Sequence, residues 1–320
     1  MPSRREILVA AGAASAAALT RPVTSLFAAA AQPATPVNFT VPKGACDCHT
    51  HVFDPRFPFS ATRTYTPESA TVPEIRELHS KLHTDRVIIV QPSVYGTDNS
   101  CTLDAMKQLG KNARGVAVID EKTTKTALEE MDRAGIRGVR INLGISGQTN
   151  PHVAPQRLKA ALDQIKGRNW HVQMYVPLAV AATLLDDVMS ASVPVVFDHF
   201  AGAQAAGGVD QTGFDRVLKM LQAGKAYVKL SGAYRASKLA PDYPDAAVLA
   251  KALIAANPQR ILWGTDWPHP DTAPGRKPAE VSPLLTIDDG RLLNLLATWA
   301  PDAAQRKTIL VDNPARLYGF

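Results

Sequence analysis

Asp47-Cys48-His49-Thr50-His51 follows an apolar approach, Val41-Pro42-Lys43-Gly44-Ala45-Cys46, and reads as the end of a first β-strand. Side chains two residues apart on a strand share a face. Alternation therefore predicts Asp47, His49 and His51 on one side, with Cys46 and Cys48 on the other. Two imidazoles at a strand end can bind a metal, polarise a carbonyl or simply hydrogen-bond to their surroundings. H-x-H alone does not choose among these, so the choice depends on what the rest of the chain brings to the same place.

Moving outward, seven more short apolar runs read as strands, at residues 86–92, 115–119, 138–143, 172–176, 193–197, 226–230 and 261–265, after the first at 45–50. Amphipathic segments separate them, at 72–83, 99–111, 123–134, 155–167, 179–191, 213–223, 245–256 and 288–299, and a short helix is expected at 303–310. Repeated strand-then-helix units imply parallel strands. Eight of them in this length imply an α/β fold, a single (β/α)8 TIM barrel. Two long loops, 53–71 after the first strand and 268–285 after the eighth, fall on the C-terminal face, where barrels build active sites. No internal repeat and no second domain is visible.

Residues 1–32 read as a targeting segment. Ser3-Arg4-Arg5-Glu6-Ile7-Leu8 gives a twin-arginine pattern, an alanine-rich apolar run covers 9–19, and small residues follow at Ala28-Ala29-Ala30-Ala31. That is the order of a cleaved export signal, too short in its apolar part to span a membrane. The expectation is a periplasmic protein whose domain runs from 33 to 320, with no membrane association after cleavage. Residues 1–32 carry Arg4, Arg5, Arg21 and Glu6, so removing them lowers the formal charge from +6 to +4. This mild positive charge suits a small anionic substrate. No Lys/Arg cluster interleaved with aromatics points to nucleic acid. Cys46 and Cys48 are too close on one strand for an unstrained bridge. With Cys101 they are expected as free, buried thiols, the first two pointing outward under the helices.

Polar side chains at the C-terminal ends of barrel strands stand above apolar layers and read as functional. Asp266, in Gly264-Thr265-Asp266-Trp267-Pro268-His269-Pro270, ends the eighth strand and is placed to take a proton from water. His199 is expected to face inward after Val195 and Phe197, and its neighbour Asp198 outward. Strand seven offers Lys229 and Ser231. Arg140 and Arg235 each need an anion, whether a substrate carboxylate or a protein one such as Asp47. Tyr175 and Ser93 complete a possible carboxylate clamp, and Arg63 and Tyr65 lie on the loop that would close over it. His171 starts strand five, at the opposite end. His79, His83 and His152 are expected at the surface.

His49-x-His51, His199 and Asp266 together resemble the amidohydrolase superfamily over roughly residues 42–320. The runs Gln91-Pro92-Ser93-Val94-Tyr95-Gly96-Thr97-Asp98-Asn99, Gly138-Val139-Arg140-Ile141-Asn142 and Lys229-Leu230-Ser231-Gly232 resemble its amidohydrolase-2 branch, which holds 2-pyrone-4,6-dicarboxylate lactonase, sulfomuconolactone hydrolase and galactarolactone isomerase. The resemblance implies a hydrolase opening a carboxylated lactone. Asp266 would be the general base and His49, His51 and His199 would polarise the carbonyl. Arg140, Arg235, Tyr175 and Ser93 would hold the substrate's carboxylates. Binuclear relatives carry a lysine on strand four and a histidine on strand five, where this chain has Arg140 with Asn142 and Gln173 with Tyr175. That departure implies a metal-independent enzyme. The alternative is one Zn2+ on His49, His51 and Asp266, with His199 beside them, in a decarboxylase or hydrolase; a lactone isomerase and a non-catalytic binding barrel are the other readings. The additional arginine of the lactonase clamp, just past strand four, is absent from Leu143-Gly144-Ile145-Ser146-Gly147, which implies a substrate with fewer anionic groups, such as a sugar lactone.

Overall fold

The computed structural model describes residues 30–145, 150, 152–273 and 275–320. The expected leader lies outside the described residues as far as position 29. Eight parallel strands follow one another around a single sheet: β1 (Cys46–Thr50), β2 (Arg86–Val90), β3 (Ala113–Ala117), β4 (Ile136–Asn142), β5 (His171–Tyr175), β6 (Val195–Phe197), β7 (Ala226–Ser231) and β8 (Ile261–Gly264). The ring closes beyond the last strand. Thr50 bridges Trp267, the Asp266 N–H donates to the His49 carbonyl at 2.8 Å, and the His51 N–H donates to the Trp267 carbonyl at 2.9 Å. The fold is a (β/α)8 barrel, with a helical segment after each strand. The segment expected at 179–191 is two short helices, Leu178–Thr183 and Leu185–Ser190. Among the described residues no helix is long and apolar enough to cross a membrane.

Two apolar layers hold the barrel. Val87, Ile89, Val139, Met174, Phe197 and Val228 face the helices, and burying each such side chain contributes about 1.5–3 kcal/mol. Inside the barrel, Ile88, Val90, Val116, Val196, Tyr227 and Leu262 pack together with Leu317 and Tyr318 from the C-terminal helix. Cys46 and Cys48 belong to this inner layer, so they point inward and not under the helices. They are nonetheless free and buried, as is Cys101.

The facing of β1 explains the reversal. Its pairing with β2 is irregular between Asp47 and Thr50, so simple alternation fails there. Asp47 faces outward and receives the Thr265 hydroxyl at 2.7 Å, with His79 Nε2 of the helix Val72–Leu82 at 3.3 Å. His79 is therefore buried and not on the surface, whereas His83 and His152 are exposed as expected.

The two long loops are tied together over the mouth. Thr66–Pro67 pairs with Val281–Ser282 in a short parallel ribbon. The chain before β1 is strapped to the outside of the barrel: the Ala30 N–H donates to Glu74 Oε1 at 3.0 Å, Trp267 Nε1 donates to the Ala31 carbonyl at 3.1 Å, and Asp288 receives the Thr35 amide and hydroxyl.

Candidate active site

Two unusual backbone conformations deliver the central side chains. His199 has φ 47° and Asp266 φ 71°. Left-handed geometry costs a non-glycine residue roughly 1–2 kcal/mol, and it persists at sites where surrounding structure imposes it. At β6, Val195 and Phe197 face the helices, so Asp198 points inward, opposite to expectation. The left-handed turn then brings His199 to the same side, and both residues are buried.

The four expected catalytic residues meet at one point. Asp266 Oδ1 lies 3.5 Å from His49 Nε2 and 3.7 Å from both His51 Nε2 and His199 Nε2. Its other oxygen, Oδ2, receives the Tyr234 hydroxyl at 2.5 Å and Arg235 Nε at 2.6 Å. Burial alone would raise the Asp266 pKa, but the Arg235 guanidinium and the imidazoles hold it well below the usual carboxylate range. Asp266 is thus an ionised carboxylate with Oδ1 turned to the imidazoles.

Hydrogen bonds on the far side of two rings set their tautomers. His51 Nδ1 is 2.7 Å from the Val90 carbonyl, which can only accept, so Nδ1 carries the proton. His199 Nδ1 is 2.9 Å from the Ser231 hydroxyl, which can donate or accept, and 3.3 Å from the Ser231 carbonyl, which can only accept and so favours a proton on Nδ1. Burial pushes His51 down to about 3 and His199 down to about 4, so both are neutral at neutral pH. Each therefore presents an Nε2 lone pair. His49, also pushed well down by burial, differs: its Nδ1 is 3.2 Å from Lys229 Nζ and 3.2 Å from Asp198 Oδ1.

Asp198 anchors a buried polar layer beneath these rings. Its Oδ2 receives Gln173 Nε2 at 3.1 Å and both Nε and Nη2 of Arg140 at 3.3 Å. Arg140 thus has a protein carboxylate, and it is Asp198 rather than Asp47. Arg235 likewise pairs with Asp266. Both arginines still line the small cleft at the mouth, with Tyr175, His51, His199 and Tyr65. Arg140 is shared with an adjacent cavity of about 690 Å³ that also takes in Ser93 and Asn142. Tyr65 is buried at the mouth beside Ser93, whereas Arg63 turns to Thr66 Oγ1 (2.6 Å) and the Ser60 carbonyl (3.2 Å) and does not line the cleft.

Sequence reasoning gave no role to Tyr234, His269 or Asp289. They form a chain behind Asp266, with His269 and Asp289 buried: Tyr234 OH is 3.3 Å from His269 Nδ1, and His269 Nε2 is 3.1 Å from Asp289 Oδ2. Burial raises the Asp289 pKa. The signal available was weak: Tyr234 adjoins Arg235 and His269 sits in the Asp266 loop, but Asp289 opens a distant helix.

The donor atoms also suit a divalent cation. Nitrogen and oxygen ligands about 2.1 Å from a tetrahedral ion stand roughly 3.4 Å apart, close to the 3.5–3.7 Å separations around Asp266 Oδ1. His49, His51 and Asp266 form one possible ligand group, and His49, Asp198 and His199 a second. His49 Nε2 and Asp266 Oδ1 are both buried without a hydrogen-bond partner.

Comparison with known proteins gives a consistent picture. The amidohydrolase family profile matches residues 46–320. The 4-sulfomuconolactone hydrolase of Rhizobium radiobacter is 36% identical over 296 residues, covering 89% of this chain and 93% of the relative. The 2-pyrone-4,6-dicarboxylate hydrolase of Comamonas testosteroni is 33% identical over 303 residues, covering 90% and 94%. Among solved structures, a "probable 2-pyrone-4,6-dicarboxylic acid hydrolase" from Acinetobacter baumannii with citric acid bound is similar at a TM-score of 0.73 and 26% identity, over 87% of this chain and all of that one.

Proposed function

The chain belongs to the amidohydrolase family, and from that premise we propose that it hydrolyses a lactone bearing a carboxylate. The observation that carries this reading is the convergence of Asp266 Oδ1 with three imidazoles beneath a mouth lined by Arg140 and Arg235. The relatives' names support a cyclic ester as substrate, and the citric acid bound in the Acinetobacter structure supports a ligand that bears carboxylates.

In this reading, water attacks the lactone carbonyl carbon while Asp266 Oδ1 takes one of its protons. The Nε2 lone pair of His51 or of His199 accepts the water's remaining hydrogen and orients it, so in this reading these two rings do not polarise the carbonyl, the role expected of them from the sequence. His49, given a proton on Nε2, donates to the developing oxyanion. The ring C–O bond then breaks, and Asp266 returns its proton to the leaving oxygen, which yields an open-chain hydroxy acid. Arg140, Arg235, Tyr175 and Ser93 hold the substrate's carboxylate end. Arg140 and Arg235 commit part of their donors to Asp198 and Asp266, which suits a substrate with few anionic groups, such as a sugar lactone.

The spacing around Asp266 favours a second reading, in which one Zn2+ is held by His49, His51 and Asp266 with His199 beside them. Such an ion would polarise the carbonyl and lower the pKa of bound water. Metal analysis of purified protein, with activity before and after chelation, separates the two. We also propose that residues 1–32 direct export to the periplasm, on the strength of the twin arginines and the alanine run.

A panel of carboxylated lactones assayed with a pH indicator tests the function. Turnover is expected on at least one member, and Asp266→Asn is expected to lose at least about a hundredfold in kcat with KM little changed. A flat panel alongside tight ligand binding would mean a binding protein. Conversion to a second lactone without acid release would mean an isomerase. Near-native turnover by the Asp266→Asn protein would remove that residue as the base.

A further inference from the structure

We infer that Lys229 is a positioning residue that fixes His49 in the Nε2–H tautomer, making His49 a hydrogen-bond donor to the substrate instead of a metal ligand. Lys229 is wholly buried on β7, directly beneath the catalytic imidazoles. A buried ammonium is costly unless it is fully paired, and it has three N–H donors. Three acceptors surround it: Gln173 Oε1 at 2.7 Å, His49 Nδ1 at 3.2 Å and Asp198 Oδ1 at 3.4 Å. The ammonium is satisfied only if His49 Nδ1 is one of the acceptors, and that places the ring proton on Nε2.

Asp198 is the competing partner, because its Oδ1 is also 3.2 Å from His49 Nδ1. The Lys229 Nζ–His49 Nδ1 contact has hydrogen-bond geometry, while Asp198 Oδ1 meets both His49 Nδ1 and Lys229 Nζ as ion pairs. Gln173 and Arg140 already donate to Asp198 Oδ2, and Lys229 Nζ stands 3.4 Å from its Oδ1 as an ion pair. A metal at His49 Nε2 would require the proton to move to Nδ1, against Lys229. The two neighbouring rings are set the other way by carbonyl acceptors, which gives the site one donor and two acceptors.

This deepens the lactonase reading by naming what makes His49 a donor, and it rests on that reading only for what His49 donates to. The test is long-range 1H–15N correlation on 15N-histidine-labelled, chelator-treated protein, with His49 assigned by its loss in His49→Gln. Wild type is expected to show pyrrole-type Nε2 and pyridine-type Nδ1 at His49. In Lys229→Met the pattern is expected to invert as Nδ1 turns its proton to Asp198, and zinc affinity, read by chelator competition, to rise at least about tenfold. Lys229→Leu, which also carries no donor, serves if the methionine variant does not fold. A protonated Nδ1 at His49 in wild type, or an unchanged tautomer without Lys229, would overturn the inference. A silent lactone panel with the expected wild-type spectrum would remove the substrate assignment and leave the tautomer standing.

Discussion

Asp266 is held from behind as well as in front. The Tyr234 hydroxyl donates to Oδ2, His269 faces that hydroxyl, and Asp289 backs His269. Oδ2 is therefore occupied and Oδ1 is the atom aimed at the imidazoles. Tyr234→Phe removes one hydrogen bond to a charged acceptor, of a kind worth roughly 1.5–3 kcal/mol. We expect kcat/KM to fall about 10- to 100-fold, with thermal stability close to native and the loss mainly in kcat. An unchanged kcat would mean that Arg235 alone positions the carboxylate. At this scale the sequence was most legible where chemistry and strand end coincide: His49, His51, His199 and Asp266 all stand at strand ends and converge. It was least legible for residues whose role is a contact between distant segments. Asp289 lies 20 positions from His269, and nothing local distinguishes it from an ordinary helix-start acid. Asp198 was misplaced because alternation was extended through a left-handed turn that breaks it.

Turns at the strand ends aim these groups, and β7 shows how little freedom they have. Ser231 leads into Gly232, whose φ of +58° favours glycine. A Cβ there would stand 3.2 Å from both Asp266 Oδ2 and His199 Nδ1, and 3.3 Å from Arg235 Cδ. Gly232→Ala is therefore expected to strain the backbone and push apart three site residues at once. The prediction is a drop in kcat/KM of at least about tenfold, with about 1–2 kcal/mol lost in stability from the left-handed conformation alone. Urea unfolding paired with steady-state kinetics checks both, and an alanine variant with native kinetics would show that the turn has slack. The strand runs were readable from hydrophobic patterning to within two residues, because buried parallel strands are continuous apolar stretches. Patterning carries no information on irregular pairing. The break in register on β1 therefore stayed hidden, and with it the inward facing of Cys46 and Cys48 and the outward facing of Asp47.

For the whole molecule, several neutral imidazoles in one closed barrel make folding stability depend on pH. Burial pushes His51 down to about 3, His171 to about 3 and His199 to about 4, from an ordinary 6.5. In the unfolded chain these groups bind protons as pH falls through 6.5, while in the folded barrel they stay neutral until about pH 4. The unfolded state therefore binds more protons across that window, and stability must fall as pH falls. Each fully engaged group contributes roughly 1.4 kcal/mol per pH unit. The depressed carboxyls of Asp198 and Asp266 act in the same direction, but only below their ordinary 3.8. The urea midpoint is thus expected to be flat from about pH 7 upward through neutrality and to drop steadily from pH 6.5 to 4. His171 offers a control away from the chemistry: it sits at the start of β5, against Gly138 and Tyr318, at the opposite end from the mouth. His171→Gln should lower stability at neutral pH yet flatten the slope by about one proton, leaving the pH profile of kcat/KM unmoved. A midpoint that does not change between pH 7 and 5 would mean that these imidazoles already take up protons in the folded state, and the neutral tautomers assigned to His51 and His199 would go with it.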